Sequence, residues 1–236
     1  MIRLDKFLCD TVGVTRKQAG YLLKEKRVTV DGEIVKTGAT KIAEDADVEF
    51  DGVSLRLSGP RYYMMNKPEG YVCSHDDPHN PTVFILIDEV GAEKLHIAGR
   101  LDCDTTGLLL LTDDGQWSHR VTSPKHKCDK TYRVWLDDAI SEETEGLFAE
   151  GLMLRGEKQE TLPAQMVKVD EKEALLTIHE GKYHQVKRMF AAVGNRVVGL
   201  HRESVGELVL DEELEPGEYR PLTEEEIALF LPKKAS

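Results

Sequence analysis

At Ser58-Gly59-Pro60 the character of the chain changes, and this break constrains the fold more than any other feature. Glycine followed by proline interrupts helix and strand alike, so a linker is expected there. It would separate a module over residues 1–58 from a larger one over 59–231, with a frayed tail at 232–236. Upstream, the pattern reads helix, helix, hairpin. Thr15 with Gln18 forms a capping box, and Ala19, Leu22 and Leu23 supply an apolar stripe behind it. Val28 to Val30 and Glu33 to Val35 flank Asp31-Gly32, the signature of a type I′ turn, and a further strand is expected at Val48 to Phe50.

Downstream, strand-like runs dominate: Tyr62 to Met65, Leu108 to Leu111, Thr131 to Leu136, Ala174 to Ile178, Arg196 to Leu200 and Leu208 to Leu210. Three helices are expected among them. One begins at Ser141, with Glu142 and Glu143 in its first turn. A second runs from His184 to Val193, where Val186, Met189, Phe190 and Val193 share a face and Gly194 takes the C′ position. The third is capped by Thr223 and Glu226, with Leu222 and Ile227 as a hydrophobic staple. Because strands and helices do not alternate strictly, the class is α+β.

Charge argues against a nucleic-acid partner only when averaged. The net charge is −12 over 236 residues, yet residues 1–41 hold nine Lys/Arg against five acids, and residues 203–226 hold ten acids against Arg220 alone. Exposed charges more than about 8 Å apart are largely screened, so a basic face can work on an acidic molecule. Leu108 to Leu111 is the longest aliphatic run, far short of the ~20 residues a membrane span requires, and no signal peptide is visible at the amino terminus. Cys9, Cys73, Cys103 and Cys128 show no C-x-x-C spacing and are read as reduced thiols of a cytoplasmic protein.

Four segments carry a family resemblance. Residues 1–41, with Arg3-Leu4-Asp5, Thr15-Arg16 and Arg27-Val28-x-Val30-Asp31-Gly32, resemble an S4 RNA-binding domain. Gly99-Arg100-Leu101-Asp102-Cys103-Asp104-Thr105-Thr106-Gly107-Leu108-Leu109 resembles the catalytic motif of pseudouridine synthases, and Lys130-Thr131-Tyr132 and Glu180 to Phe190 resemble two later motifs; Asn66-Lys67-Pro68-x-Gly70 fits as well. In order and spacing the set is similar to the RsuA family of ribosomal RNA pseudouridine synthases. The resemblance implies a small S4-like helix and β-hairpin domain. A catalytic domain on a mixed, largely antiparallel sheet with flanking helices would follow it.

That chemistry has simple requirements. Isomerising uridine cleaves the N1–C1′ bond, turns the uracil and rejoins it through C5, with no redox or phosphoryl step. Neither a metal nor an organic cofactor is expected. One ionised carboxylate is, and the resemblance assigns it to Asp102. Burial alone would neutralise such a group, whereas a neighbouring cation keeps it charged; the family places Lys187 there, a position often occupied by arginine elsewhere in the superfamily. Tyr132 would stack on a base extruded from folded RNA. Read in isolation, Asp102 is a turn aspartate, Tyr132 a core aromatic and Lys187 a solvated helix position. Asp104, Asp113 and Asp114 are read as solvent-facing or turn residues.

RNA contacts are expected from Arg100, Arg3, Arg16, Lys17, Arg27, Lys130 and Arg188. They include members of two basic runs, His119, Arg120, Lys125, Lys127, Lys130 and Arg133, then Lys182, Lys187, Arg188, Arg196 and Arg202. Ser74 to His79 reads as a polar loop in preference to a metal site, and no glycine-rich nucleotide loop is present. The partner implied is ribosomal RNA, free or within an assembly particle, bound by a monomer without membrane attachment. Residues 61–74 and 221–227 look most like family members acting on the small-subunit 16S rRNA, at the uridine conventionally numbered 516. A large-subunit 23S enzyme of the same family and a non-catalytic S4-containing assembly factor stand as alternatives.

Overall fold

The computed structural model describes residues 1–43, 46–55, 59–89, 91–123 and 128–232. Two units make up the chain, Met1–Gly59 and Pro60–Ser236. Ser58 of the expected linker, Lys125 and Lys127 of the first basic run, and residues 233–236 of the expected tail lie outside the described residues.

The first unit runs β1 (Ile2–Arg3), α1 (Leu4–Val12), α2 (Arg16–Lys24), β2 (Val28–Val30), β3 (Glu33–Ile34), β4 (Lys41–Ile42), β5 (Val48–Phe50) and β6 (Val53–Leu55). Thr15 starts α2 through the full capping box: its hydroxyl accepts from the Gln18 amide, and Gln18 accepts from the Thr15 amide. Asp31-Gly32 and Asp51-Gly52 both have positive φ, the geometry of type I′ turns, and they fold β3-β2-β5-β6 into one antiparallel sheet. Leu4, Phe7, Leu8, Ala19, Leu23, Val28, Ile42 and Val48 form its core.

The second unit runs β7 (Tyr62–Lys67), β8 (His96–Ile97), β9 (Thr106–Thr112), α3 (Gly115–Thr122), β10 (Lys130–Leu136), α4 (Thr144–Glu150), β11 (Gln165–Asp170), β12 (Glu173–Ile178), α5 (Gln185–Ala192), β13 (Val197–Val205), β14 (Leu208–Val209), β15 (Tyr219–Pro221) and α6 (Glu224–Ala228). Nine strands form one sheet in the order β11-β12-β10-β13-β9-β7-β15, with β14 on β13 and β8 on β9. Among the described strands every pairing is antiparallel except β13 with β9, which is parallel and two residues long, His201↔Thr106 and Arg202↔Gly107.

The aliphatic run is explained by burial on both faces of this sheet. Leu109 and Leu111 enter one core with Tyr132, Val134, Met189 and Phe190; Leu108 and Leu110 enter another with Met64, Trp117 and Val205. Where β9 meets β13, Gly107 has φ +99, and a Cβ there would lie 2.4 Å from the Arg202 carbonyl oxygen. Only glycine permits that approach.

Several local readings are corrected. The helix expected from Ser141 begins at Thr144, preceded by a turn in which the Thr144 amide donates to the Ser141 carbonyl at 3.2 Å and the two hydroxyls bond each other at 2.9 Å. Helix α3 was not anticipated: Asp114, read as a turn residue, caps it by accepting from the Gln116 and Trp117 amides, and Asp113 pairs with Arg61. Helix α5 ends in a Schellman motif, with Gly194 at φ +81 and the Asn195 amide donating to Phe190.

Candidate active site

Asp102 lies on the loop between β8 and β9, and two buried cations hold that loop from beneath. Lys67, at the end of β7 and fully buried, donates from Nζ to the carbonyls of Pro68, Cys103 and Thr105 at 2.9, 3.3 and 2.8 Å. Arg202 of β13, 2% exposed, donates to the carbonyls of Leu108 and Gly99, both at 2.8 Å. Burying a charge is costly unless its hydrogen bonds are satisfied, and carbonyl oxygens satisfy these. Burial pushes the Lys67 pKa below the ordinary lysine value. Around Asp102 itself, the Thr105 amide donates to the Asp102 carbonyl, and the Leu101 amide points to the Cys73 sulfur.

Helix α5 supplies the opposing wall. Its approach is set by Gln185, which accepts from the Lys182 amide at 2.8 Å and donates to Glu180 at 3.0 Å. Lys187 then extends Nζ to Asp102 Oδ2 at 3.1 Å and to Asp104 Oδ1 at 2.5 Å. Burial works against the Lys187 charge, but bonds to Asp104 and Asp102 outweigh it and raise its pKa above that of an ordinary lysine. Desolvation acts equally against the Asp104 charge; the Lys187 ammonium overcomes it and leaves that carboxyl below its usual range. On the other side, His184 Nε2 stands 3.3 Å from Asp102 Oδ1.

These groups border a pocket of about 100 Å³ lined by Arg100, Asp102, Tyr132, Ile178, His184 and Lys187 among others. Tyr132 is 9% exposed where it lines the pocket, with the Arg202 guanidinium 6.0 Å from its ring centroid. The three residues expected from separate motifs, Asp102, Tyr132 and Lys187, therefore share one cleft, with the exposed Arg100 also on its lining. An acceptor carboxylate, a cation and an aromatic face fit a planar, uncharged ring carried into the cleft.

Other expected RNA contacts are placed differently. Lys130 is 9% exposed and its ammonium donates to the carbonyls of Val121 and Cys128 at 3.1 and 2.6 Å, so it serves the interior and is corrected from a surface contact. Arg188 is bound to Glu157, the Tyr183 carbonyl and the Arg155 carbonyl. Arg202 is buried, Arg133 pairs with Glu173 and Glu203, Arg196 with Asp137, and Lys182 with Glu157 and Glu180. Among the described members of the two runs, Arg133, Lys182, Lys187, Arg188 and Arg196 thus pair with carboxylates of the protein, and Lys130 and Arg202 bond main-chain carbonyls. In the first unit, Arg3 pairs with Asp5 and Arg27 with Asp51, while Arg16 and Lys17 stand exposed on the first turn of α2. Ser74 to His79 forms a polar loop in which Asp77 accepts from the His79 and Asn80 amides. Lys67, Arg202, Asp104 and His184 were missed as parts of the site, although each falls in or beside a quoted motif or basic run.

A family model described as RNA pseudouridylate synthase matches residues 61–192, more than half of the chain. The chain belongs to that family. Its synthase match contains Asp102, Tyr132 and Lys187, and an S4 domain model matches residues 2–48. This synthase is 64% identical over 227 residues to a Vibrio cholerae protein named ribosomal small subunit pseudouridine synthase A, covering 96% of this chain and 98% of the relative. An Escherichia coli protein of the same name is 58% identical over 228 residues, covering 96% and 99%. A solved pseudouridylate synthase crystal structure superposes with a TM-score of 0.71 at 53% identity, covering 98% of this chain and all of that one. As a synthase of this family the protein is an isomerase, with an S4 unit preceding an α+β unit on a mixed sheet. No helix among the described residues is long and apolar enough to cross a membrane.

Proposed function

We propose that this synthase converts one uridine of 16S ribosomal RNA, the one conventionally numbered 516, to pseudouridine, with Asp102 as the single essential carboxylate. What carries the reading is the Asp102 carboxylate standing 3.1 Å from Lys187 in a cleft that Tyr132 also lines. Identities of 58–64% along almost the whole length of relatives named for the small subunit support the target.

The uridine enters flipped, and its ring stacks on Tyr132. Stacking on an aromatic face returns about 1–3 kcal/mol of the few that extrusion costs. Asp102, kept beside the Lys187 ammonium, acts at the ribose or the uracil as base or nucleophile; the N1–C1′ bond breaks, the C5–C1′ bond forms, N1 gains a proton and the C5 proton leaves to solvent. Arg100 at the rim takes the vacated space or a phosphate. The unit formed by residues 1–58 grips the RNA, and the protein works as a cytoplasmic monomer on free or assembling ribosomal RNA.

Two measurements test this. Pseudouridine mapping of both ribosomal RNAs in a deletion strain should show loss at the 16S position alone; loss in 23S rRNA instead would replace the target. Asp102→Asn should bind 16S RNA nearly as well as the native protein and release no tritium from 5-tritiated uridine. Turnover surviving that change would refute the role of Asp102.

A further inference from the structure

His184 breaks the rule for the position it occupies. It is the N-cap of α5, where a residue normally takes extended backbone and bonds the helix amides with its side chain, as Thr15, Asp114 and Thr223 do in this chain. His184 instead has φ 47 and ψ 39, in the left-handed region, and makes no capping bond. The other described non-glycine residues with positive φ have ordinary settings. Lys26 follows a helix end, and Asp31 and Asp51 open hairpin turns. A left-handed backbone is uncommon for any residue but glycine, histidine being among those that adopt it more readily, and it clusters at functional sites.

Its effect is to aim the imidazole at the carboxylate. Nε2 lies 3.3 Å from Asp102 Oδ1, while Lys187 Nζ takes Oδ2. The Tyr183 ring stacks on the imidazole, centroids 3.8 Å apart and 21° from parallel, and limits its rotation. Each carboxylate oxygen therefore faces its own nitrogen, from residues three apart at the start of one helix.

We infer that His184 is a positioning residue for Asp102: with Lys187 it fixes the plane of the carboxylate toward the flipped uridine. The inference rests on Asp102 being the reacting group. Its proper readout is the reaction step, because a displaced carboxylate loses rate without losing RNA.

The test uses the full-length protein and 5-tritiated 16S RNA under single-turnover conditions at saturating enzyme. His184→Gly accepts the left-handed backbone and leaves a space for free imidazole. Its rate should fall about ten- to a hundredfold with RNA affinity unchanged, and added imidazole should restore part of it. His184→Asn, which also tolerates this backbone and keeps a donor, should retain more activity than His184→Gly. A His184→Gly protein at the native rate would overturn the inference, as would a loss matched in RNA affinity and untouched by imidazole. Native protein run alongside separates the two readings. If it releases no tritium, the proposed function fails; if it is active while His184→Gly is indifferent, this inference alone fails.

Discussion

Lys187 binds Asp104 at 2.5 Å, a carboxylate two positions beyond the one it serves in the proposed reaction. The ammonium is therefore shared, and its raised pKa has two sources. Removing either carboxylate lets the proton leave at lower pH. Lys187 thus contributes stability that is present below the unfolded lysine pKa and lost as pH rises through the higher folded value; Asp104, whose pKa is depressed, contributes stability lost as pH falls through its folded value.

Asp104→Asn is expected to remain active, with the alkaline limb of its pH–rate profile moved toward neutrality. Single-turnover tritium release across the alkaline range measures this. An unmoved limb would mean that Asp104 does not share the ammonium in solution.

Lys67→Met should destabilise the second unit by about 2–4 kcal/mol, because three carbonyls that the ammonium satisfies lose a buried donor. Urea unfolding gives the value. A midpoint equal to that of the native protein would show that water replaces the lysine without cost.

Gly107→Ala combines a strained φ with a Cβ driven into the Arg202 backbone, and it should cost more than about 3 kcal/mol or prevent folding. Thermal melts of both variants check this: Gly115→Ala, where an added Cβ meets nothing within 4 Å and φ is not positive, should be near neutral.

Arg16→Ala with Lys17→Ala removes two exposed cations from the S4 unit. RNA affinity should fall more at low salt than at high salt, and the slope of log affinity against log salt should shrink by roughly 1.4–1.8. Filter binding over a salt series reads it. An unchanged slope would place RNA elsewhere on that unit.

What could be read from the chain follows from how far each signal acts. Thr15 with Gln18, Asp31-Gly32 and Gly194 act over a few residues, and each appears where its chemistry puts it. The Leu108–Leu111 run announces a strand but not that its alternate side chains feed two different cores. Asp102 and Lys187 are 85 positions apart, and only an ordered motif set joined them before the fold did. Positive charge was visible while its burial was not: Lys130 and Arg202 count as cations in a sequence, yet both are drawn inward by carbonyls that no spacing rule reveals. His184 escaped for a related reason, since its importance lies in a backbone angle.

The parallel ladder between β9 and β13 is only two residues long, yet Asp102 belongs to one side of it and Tyr132, Lys187 and His184 to the other. Each half of the sheet has its own antiparallel bonding, while both apolar cores and the Arg202 bonds to the Leu108 and Gly99 carbonyls cross the seam. Registration of Asp102 against Tyr132, Lys187 and His184 is thus entrusted to interlocked side chains and one buried guanidinium far more than to main-chain pairing.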